Sequence, residues 1–97
     1  VLRSQTGELA RAADLWEPRS GRGIELRTTE PGLLTYTGRL FSPNVVGKGG
    51  RAVEKFGGML LETLRYPDSP NHPEYPSAVL RPGETYHSTT EFRFYAR

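Results

Sequence analysis

Glycine and proline interrupt this chain so often that no long helix has room to form. Eleven glycines and eight prolines fall among 97 residues, and the stretches between them alternate apolar and polar side chains. A period of two bounded by turn residues is the pattern of short strands with one buried face. Leu9 to Trp16 places Leu9, Ala13 and Leu15 on one side. Glu17-Pro18-Arg19-Ser20-Gly21-Arg22 supplies a turn, since Pro18 fixes φ and Gly21 tolerates φ > 0. Gly23 to Thr29 then alternates, with Ile24 and Leu26 inward and Glu25 and Arg27 outward, so the two runs are expected to pair as a hairpin. Pro31-Gly32 turns the chain into a short strand, Leu33 to Thr37. Residues 38–52, with Gly38, Pro43, Gly47, Gly49 and Gly50, read as an exposed loop. Phe56 to Arg65 is the most apolar stretch and reads as a central strand, its two glycines marking a bulge or a close approach. The four prolines from Pro67 to Pro76 exclude regular structure there. After a turn at Arg81-Pro82-Gly83-Glu84, alternation runs from Thr85 to Arg97, and its final half reads as a strand packing Phe92 and Phe94 inward. These strand candidates and the absence of a convincing helix make the fold class all-β.

The length allows one domain or part of one, and with 35% apolar residues the core is lean. Without cysteine there is no disulfide and no thiolate metal site. Thirteen basic and eleven acidic residues are interspersed along the chain. No segment concentrates enough Lys and Arg for a phosphate-tracking stripe, so no nucleic-acid partner is expected. No apolar run is long enough to span a bilayer, and no membrane partner is expected. No signal peptide is visible and the chain begins at Val1, so the expectation is a cytoplasmic protein and a segment of something longer. So few strands leave long edges that other strands would cover.

Glu62 is the sharpest candidate for chemistry. It follows Met59-Leu60-Leu61 and precedes Leu64, and a carboxylate in apolar surroundings loses solvation, which raises its pKa toward the range useful to a general base. The bland reading is a strand carboxylate facing water, because Glu is rarely buried. Asp68, His72 and Glu74 bring carboxylates and an imidazole together on the proline-rich loop, where stabilising the loop is a simpler role than holding a metal. His87 reads as a surface residue on a strand face. Gly47-Lys48-Gly49-Gly50 lacks the order of a phosphate-binding loop and reads as a hairpin tip. Trp16, Tyr36, Tyr66 and Tyr75 are candidates for a stacking platform, though aromatics at such spacings more often line a core or rim.

The segments Glu17-Pro18-Arg19-Ser20-Gly21-Arg22, Thr28-Thr29-Glu30-Pro31-Gly32, Tyr36-Thr37-Gly38, Gly47-Lys48-Gly49-Gly50, Leu61-Glu62-Thr63, Tyr66-Pro67-Asp68-Ser69-Pro70-Asn71-His72-Pro73 and Leu80-Arg81-Pro82-Gly83-Glu84-Thr85-Tyr86 follow one another in this order. Together they resemble the C-terminal third of the aldose 1-epimerase (galactose mutarotase) family. The resemblance implies that residues 1–97 are the C-terminal segment of one large antiparallel β-sandwich, a galactose mutarotase-like supersandwich, whose N-terminal part is absent from this chain. That remainder and a monosaccharide would be its partners. The resemblance further implies interconversion of the α and β anomers of a hexose, with Glu62 as general base, the acid histidine outside this chain, and no metal or cofactor. Four places depart from the family pattern, among them Phe56-Gly57 where the family has His-Ser before the catalytic strand. Leu34 stands where a sugar-binding Gln is common, Arg39 ends the Tyr-Thr-Gly motif in place of Asn, and Leu64 replaces Gln. Losing a hydrogen-bonding partner at a sugar site weakens discrimination. Arg39 is a candidate contact for a phosphorylated or acidic sugar, against a plain loop-surface role. Two alternatives therefore stay open: a non-catalytic carbohydrate-binding or sugar-sensing relative, and a sugar-phosphate 1-epimerase.

Overall fold

A computed structural model describes residues 7–42 and 44–97; Val1 and Pro43 lie outside the described residues. The fold is all-β and antiparallel, in two sheets. Strands β1 (Ala10–Trp16), β2 (Arg22–Thr28) and β5 (Thr90–Ala96) form one sheet in the order β1-β2-β5, and β3 (Gly32–Tyr36) pairs with β4 (Leu60–Leu64) in the other. Helical geometry among the described residues is limited to two short 3-10 turns, Lys48–Gly50 and Ser69–Asn71.

The turn between β1 and β2 forms as the sequence leads one to expect. The Glu17 carboxylate accepts the N–H groups of Arg19 at 2.8 Å and Ser20 at 2.7 Å. With the Ser20 hydroxyl, these donors hold its pKa below the ordinary carboxylate value. Gly21 closes the turn at φ 69°. Its missing side chain also lets β5 run alongside: an added Cβ would sit 2.3 Å from the Arg97 carbonyl oxygen.

Pairing sets the two faces of the larger sheet. Leu15, Ile24 and Phe94 align across the three strands, as do Ala13, Leu26 and Phe92. The register shifts between Arg11 and Ala13, so Ala12 is an extra residue in β1. Such a bulge re-phases the strand, and Ala10 rather than Leu9 shares the face of Ala13 and Leu15. It also brings Arg11 and Asp14 to the opposite, polar face, where they form an ion pair. On that face Asp14 additionally accepts a hydrogen bond from the Tyr95 hydroxyl and lies 3.5 Å from the Arg97 guanidinium. The Tyr95 hydrogen bond, followed by the charges of Arg11 and Arg97, holds Asp14 below its ordinary pKa.

Three sequence expectations are corrected. Leu26 is the one fully buried apolar side chain among the described residues, while Phe92 and Phe94 remain 47% and 77% exposed. Both phenylalanines share the face of Leu26, but β4 reaches this face only at its Thr28–Thr90 end, through Thr63, and the groove lined by Phe56, Met59 and Phe94 leaves the other end open. The apolar stretch from Phe56 becomes strand only at Leu60. Phe56 itself takes φ 57°, and the Gly57 N–H donates to the Glu54 carbonyl, so a turn replaces the expected first half. The alternation from Thr85 forms a strand over its final half as expected, Thr90–Ala96, but His87 lies outside any strand rather than on a strand face; five strands are formed among the described residues. The Cα radius of gyration is 16.6 Å, against about 13 Å for a compact domain of ~100 residues; the chain is more open than a compact domain.

A chain of hydroxyls links the sheets. Thr63 of β4 meets Thr90 of β5 at 2.8 Å, and Thr90 meets the fully buried Thr28 at 3.2 Å.

Candidate active site

Glu62 lies in the middle of β4, directly across the ladder from Leu34. Opposed residues share a face, so Glu62 stands with Leu34, flanked by the pairs Tyr36↔Leu60 and Gly32↔Leu64. Leu61 and Thr63 face the other way, and Thr63 makes the contact with β5. Glu62 is exposed in this chain. Its apolar neighbours in sequence therefore do not desolvate it: Leu61 points to the opposite side, and Leu60 is itself 42% exposed.

The face bearing Glu62 continues into a cavity of about 380 Å³. Leu34 and Leu64, the residues across from and next to Glu62 on this face, form its floor with Gly32, and Tyr66, Pro67 and Tyr75 form its wall. Gly32 is required by close approach, because a Cβ there would lie 2.9 Å from the Leu64 carbonyl oxygen and 3.2 Å from the Tyr66 ring.

The proline-rich loop builds the wall. Asp68 adopts φ 63° and accepts a hydrogen bond from the Asn71 amide. The Ser69 hydroxyl donates to the Tyr66 carbonyl. His72 sits between two carboxylates, Nδ1 at 3.0 Å from Glu74 and Nε2 at 3.4 Å from Asp68. Its ring stacks on Tyr75 at 4.6 Å between centroids, and Tyr75 meets Tyr66 edge-on at 5.2 Å. Asp68, His72 and Glu74 thus brace an aromatic wall by pairing with one another. No group of three or more potential ligands is placed to hold a metal among the described residues.

Other sequence candidates fall away from this face. Arg39 is exposed in the turn after β3. Lys48–Gly50 is an exposed turn closed by the isolated bridge Val46↔Ala52. The four aromatics do not form one platform: Tyr66 and Tyr75 are together, Tyr36 packs edge-on against Phe41 at 5.7 Å, and Trp16 lines a separate groove with Phe56, Met59 and Phe94.

One cluster escapes a reading of the sequence. Glu30, only 3% exposed, accepts a hydrogen bond from the Tyr86 hydroxyl and lies 3.4 Å from Arg65 Nε. Glu30 and Arg65 flank the open end of the β3–β4 ladder, next to the floor of the cavity.

With this geometry in view, the model of the aldose 1-epimerase family matches residues 3–93 of the chain. The chain belongs to the aldose 1-epimerase family. It is 48% identical over 75 residues to the galactose mutarotase of Mus musculus and 45% identical over 75 residues to that of Homo sapiens, in each case covering 77% of this chain and 22% of the relative. It is 39% identical over 87 residues to the aldose 1-epimerase of Escherichia coli K12, covering 88% of this chain and 25% of the relative. The chain thus spans about a quarter or less of the length of these curated family members.

Proposed function

We propose that this chain carries the general base of an aldose 1-epimerase and that Glu62 is that base. The observation that carries the reading is the position of Glu62 on β4, presented on the same face as the Leu34, Leu64 and Tyr75 cavity. Glu62 removes the proton from the C1 hydroxyl of a cyclic hexose. A histidine supplied from outside this chain protonates the ring oxygen. The ring opens to the aldehyde, the C1–C2 bond rotates, and closure on the other face returns the other anomer with both protons restored. The remainder of the β-sandwich covers the exposed Phe92 and Phe94 and, on a separate face, the surroundings of Glu62. That closure excludes bulk water from the reacting carboxylate.

A second reading has an observation in its favour: the residue opposite Glu62 is Leu34, which offers a sugar neither donor nor acceptor. On that reading the domain binds a carbohydrate without turning it over. Exchange NMR of the α and β anomers of galactose or glucose, with the full-length protein, separates the two. Exchange accelerated over buffer is expected. Sugar binding without acceleration would replace the enzyme with a binder. The 97-residue chain alone is expected to give no acceleration, because the acid is missing. Arg39 as a phosphate contact predicts faster exchange for a hexose phosphate than for the free hexose in the same assay.

A further inference from the structure

We propose that Glu30, Arg65 and Tyr86 act as a positioning clamp that sets which residue stands opposite Glu62. A hairpin normally takes its register from its turn. Here β3 and β4 are joined by the long connection 37–59, which holds only a 3-10 turn and one isolated bridge as regular structure among the described residues. A two-stranded ladder alone is marginal, so the closed end cannot fix the pairing.

The open end can. Glu30 lies just before β3 and Arg65 directly after β4. One carboxylate oxygen of Glu30 accepts the Tyr86 hydroxyl; the other accepts no hydrogen bond among the described residues and faces Arg65 Nε at 3.4 Å. The Arg65 guanidinium also lies 5.9 Å from the centre of the Tyr86 ring, so the three groups close on one another. Thr28 anchors the cluster to β2, accepting the Glu30 N–H at 3.1 Å.

Only a slip by an even number of residues keeps every side chain on its face. The smallest such slip moves Glu62 from Leu34 to Gly32 or Tyr36. It also carries Arg65 roughly 6–7 Å along the strand, away from a carboxylate that is almost fully buried. Leaving a buried charge unpaired is strongly unfavourable, so the clamp holds the native register. Glu30, Arg65 and Tyr86 are positioning residues and need not touch the sugar.

The consequence for turnover rests on the proposed function; the consequence for the ladder does not. The test uses the full-length protein with Glu30→Gln and Arg65→Met combined, which removes both charges and strands neither. Backbone amides of β3 and β4 are expected to exchange with solvent at least about tenfold faster, while β1, β2 and β5 keep their protection. Turnover in anomer exchange is expected to fall at least about tenfold with KM within about twofold, as for a misplaced catalytic group. Arg65→Lys keeps the cation and is expected to retain both properties. Unchanged exchange in β3 and β4 overturns the clamp, whatever the activity. Faster exchange with unchanged turnover overturns its role in placing Glu62. A wild type without anomer exchange, whose ladder still loosens in the double variant, removes the proposed function and leaves the clamp. Should the double variant fail to fold, Tyr86→Phe carries the same readouts at smaller size, about threefold, and no change there overturns the proposal.

Discussion

Gly32 and Gly58 should respond to the same substitution with opposite signs. At Gly32 an added Cβ meets the Leu64 carbonyl oxygen at 2.9 Å and the Tyr66 ring at 3.2 Å. The oxygen belongs to the ladder partner of Gly32, so strand β3 must move by several tenths of an ångström or the rung must lengthen. Overpacking of this kind costs about 1–3 kcal/mol. Against it stands the loss of freedom in the unfolded chain, which favours Ala by about 0.4–1 kcal/mol wherever the native backbone suits it. The steric cost wins, and Gly32→Ala is expected to destabilise by about 0.5–2 kcal/mol. At Gly58 nothing lies within 4 Å of an added Cβ, so only the unfolded-state effect remains. Gly58→Ala is expected to be neutral or stabilising by up to about 1 kcal/mol. Urea unfolding of both variants at constant m-value reads the difference directly. A Gly32→Ala protein as stable as wild type would show that β3 does not approach Leu64 and Tyr66 this closely, and the floor of the cavity would have to be redrawn.

Leu26→Ala, at the one fully buried apolar side chain described, should cost about 2–4 kcal/mol in the same measurement; a loss under about 1 kcal/mol would mean Ala13 and Phe92 do not pack on it. Asp14 titrates lower, and Tyr95 higher, than in the unfolded chain, each chiefly through the hydrogen bond between them. The stability from Asp14 is therefore present above its ordinary pKa of 3.8 and lost as pH falls through the lowered native value; that from Tyr95 is present below 10.0 and lost as pH rises through the raised one. Tyr95→Phe should flatten both limbs of a stability–pH profile, and an unaltered profile would refute the pairing.

Much of the fold was legible because its cause is local. Alternation in Gly23 to Thr29 and the turn chemistry of Glu17 to Gly21 depend on neighbours in sequence, and β2 and its hairpin follow. Burial was less legible, because it depends on what lies above a face. Phe92 and Phe94 were placed on the correct side of β5, yet only a second layer can bury them. The bulge at Ala12 has no turn residue to announce it among alanines that fit either phase. Glu62 illustrates the difference between sequence and surface: its greasy neighbours along the chain alternate sides, so Leu61 cannot shield it. The Glu30 cluster was invisible for another reason. Glu30 sits between Thr29 and Pro31, where a turn carboxylate is unremarkable, and its partner Tyr86 is 56 residues away.

The central claim is that a single carboxylate on β4 moves the anomeric proton. Replacing Glu62 by Gln keeps size and hydrogen bonding and removes the basicity. In the full-length protein the α–β exchange rate, followed by NMR, should then drop by at least about 10²-fold with the fold intact. Exchange at the wild-type rate in Glu62→Gln would contradict the account and send the search for the base elsewhere.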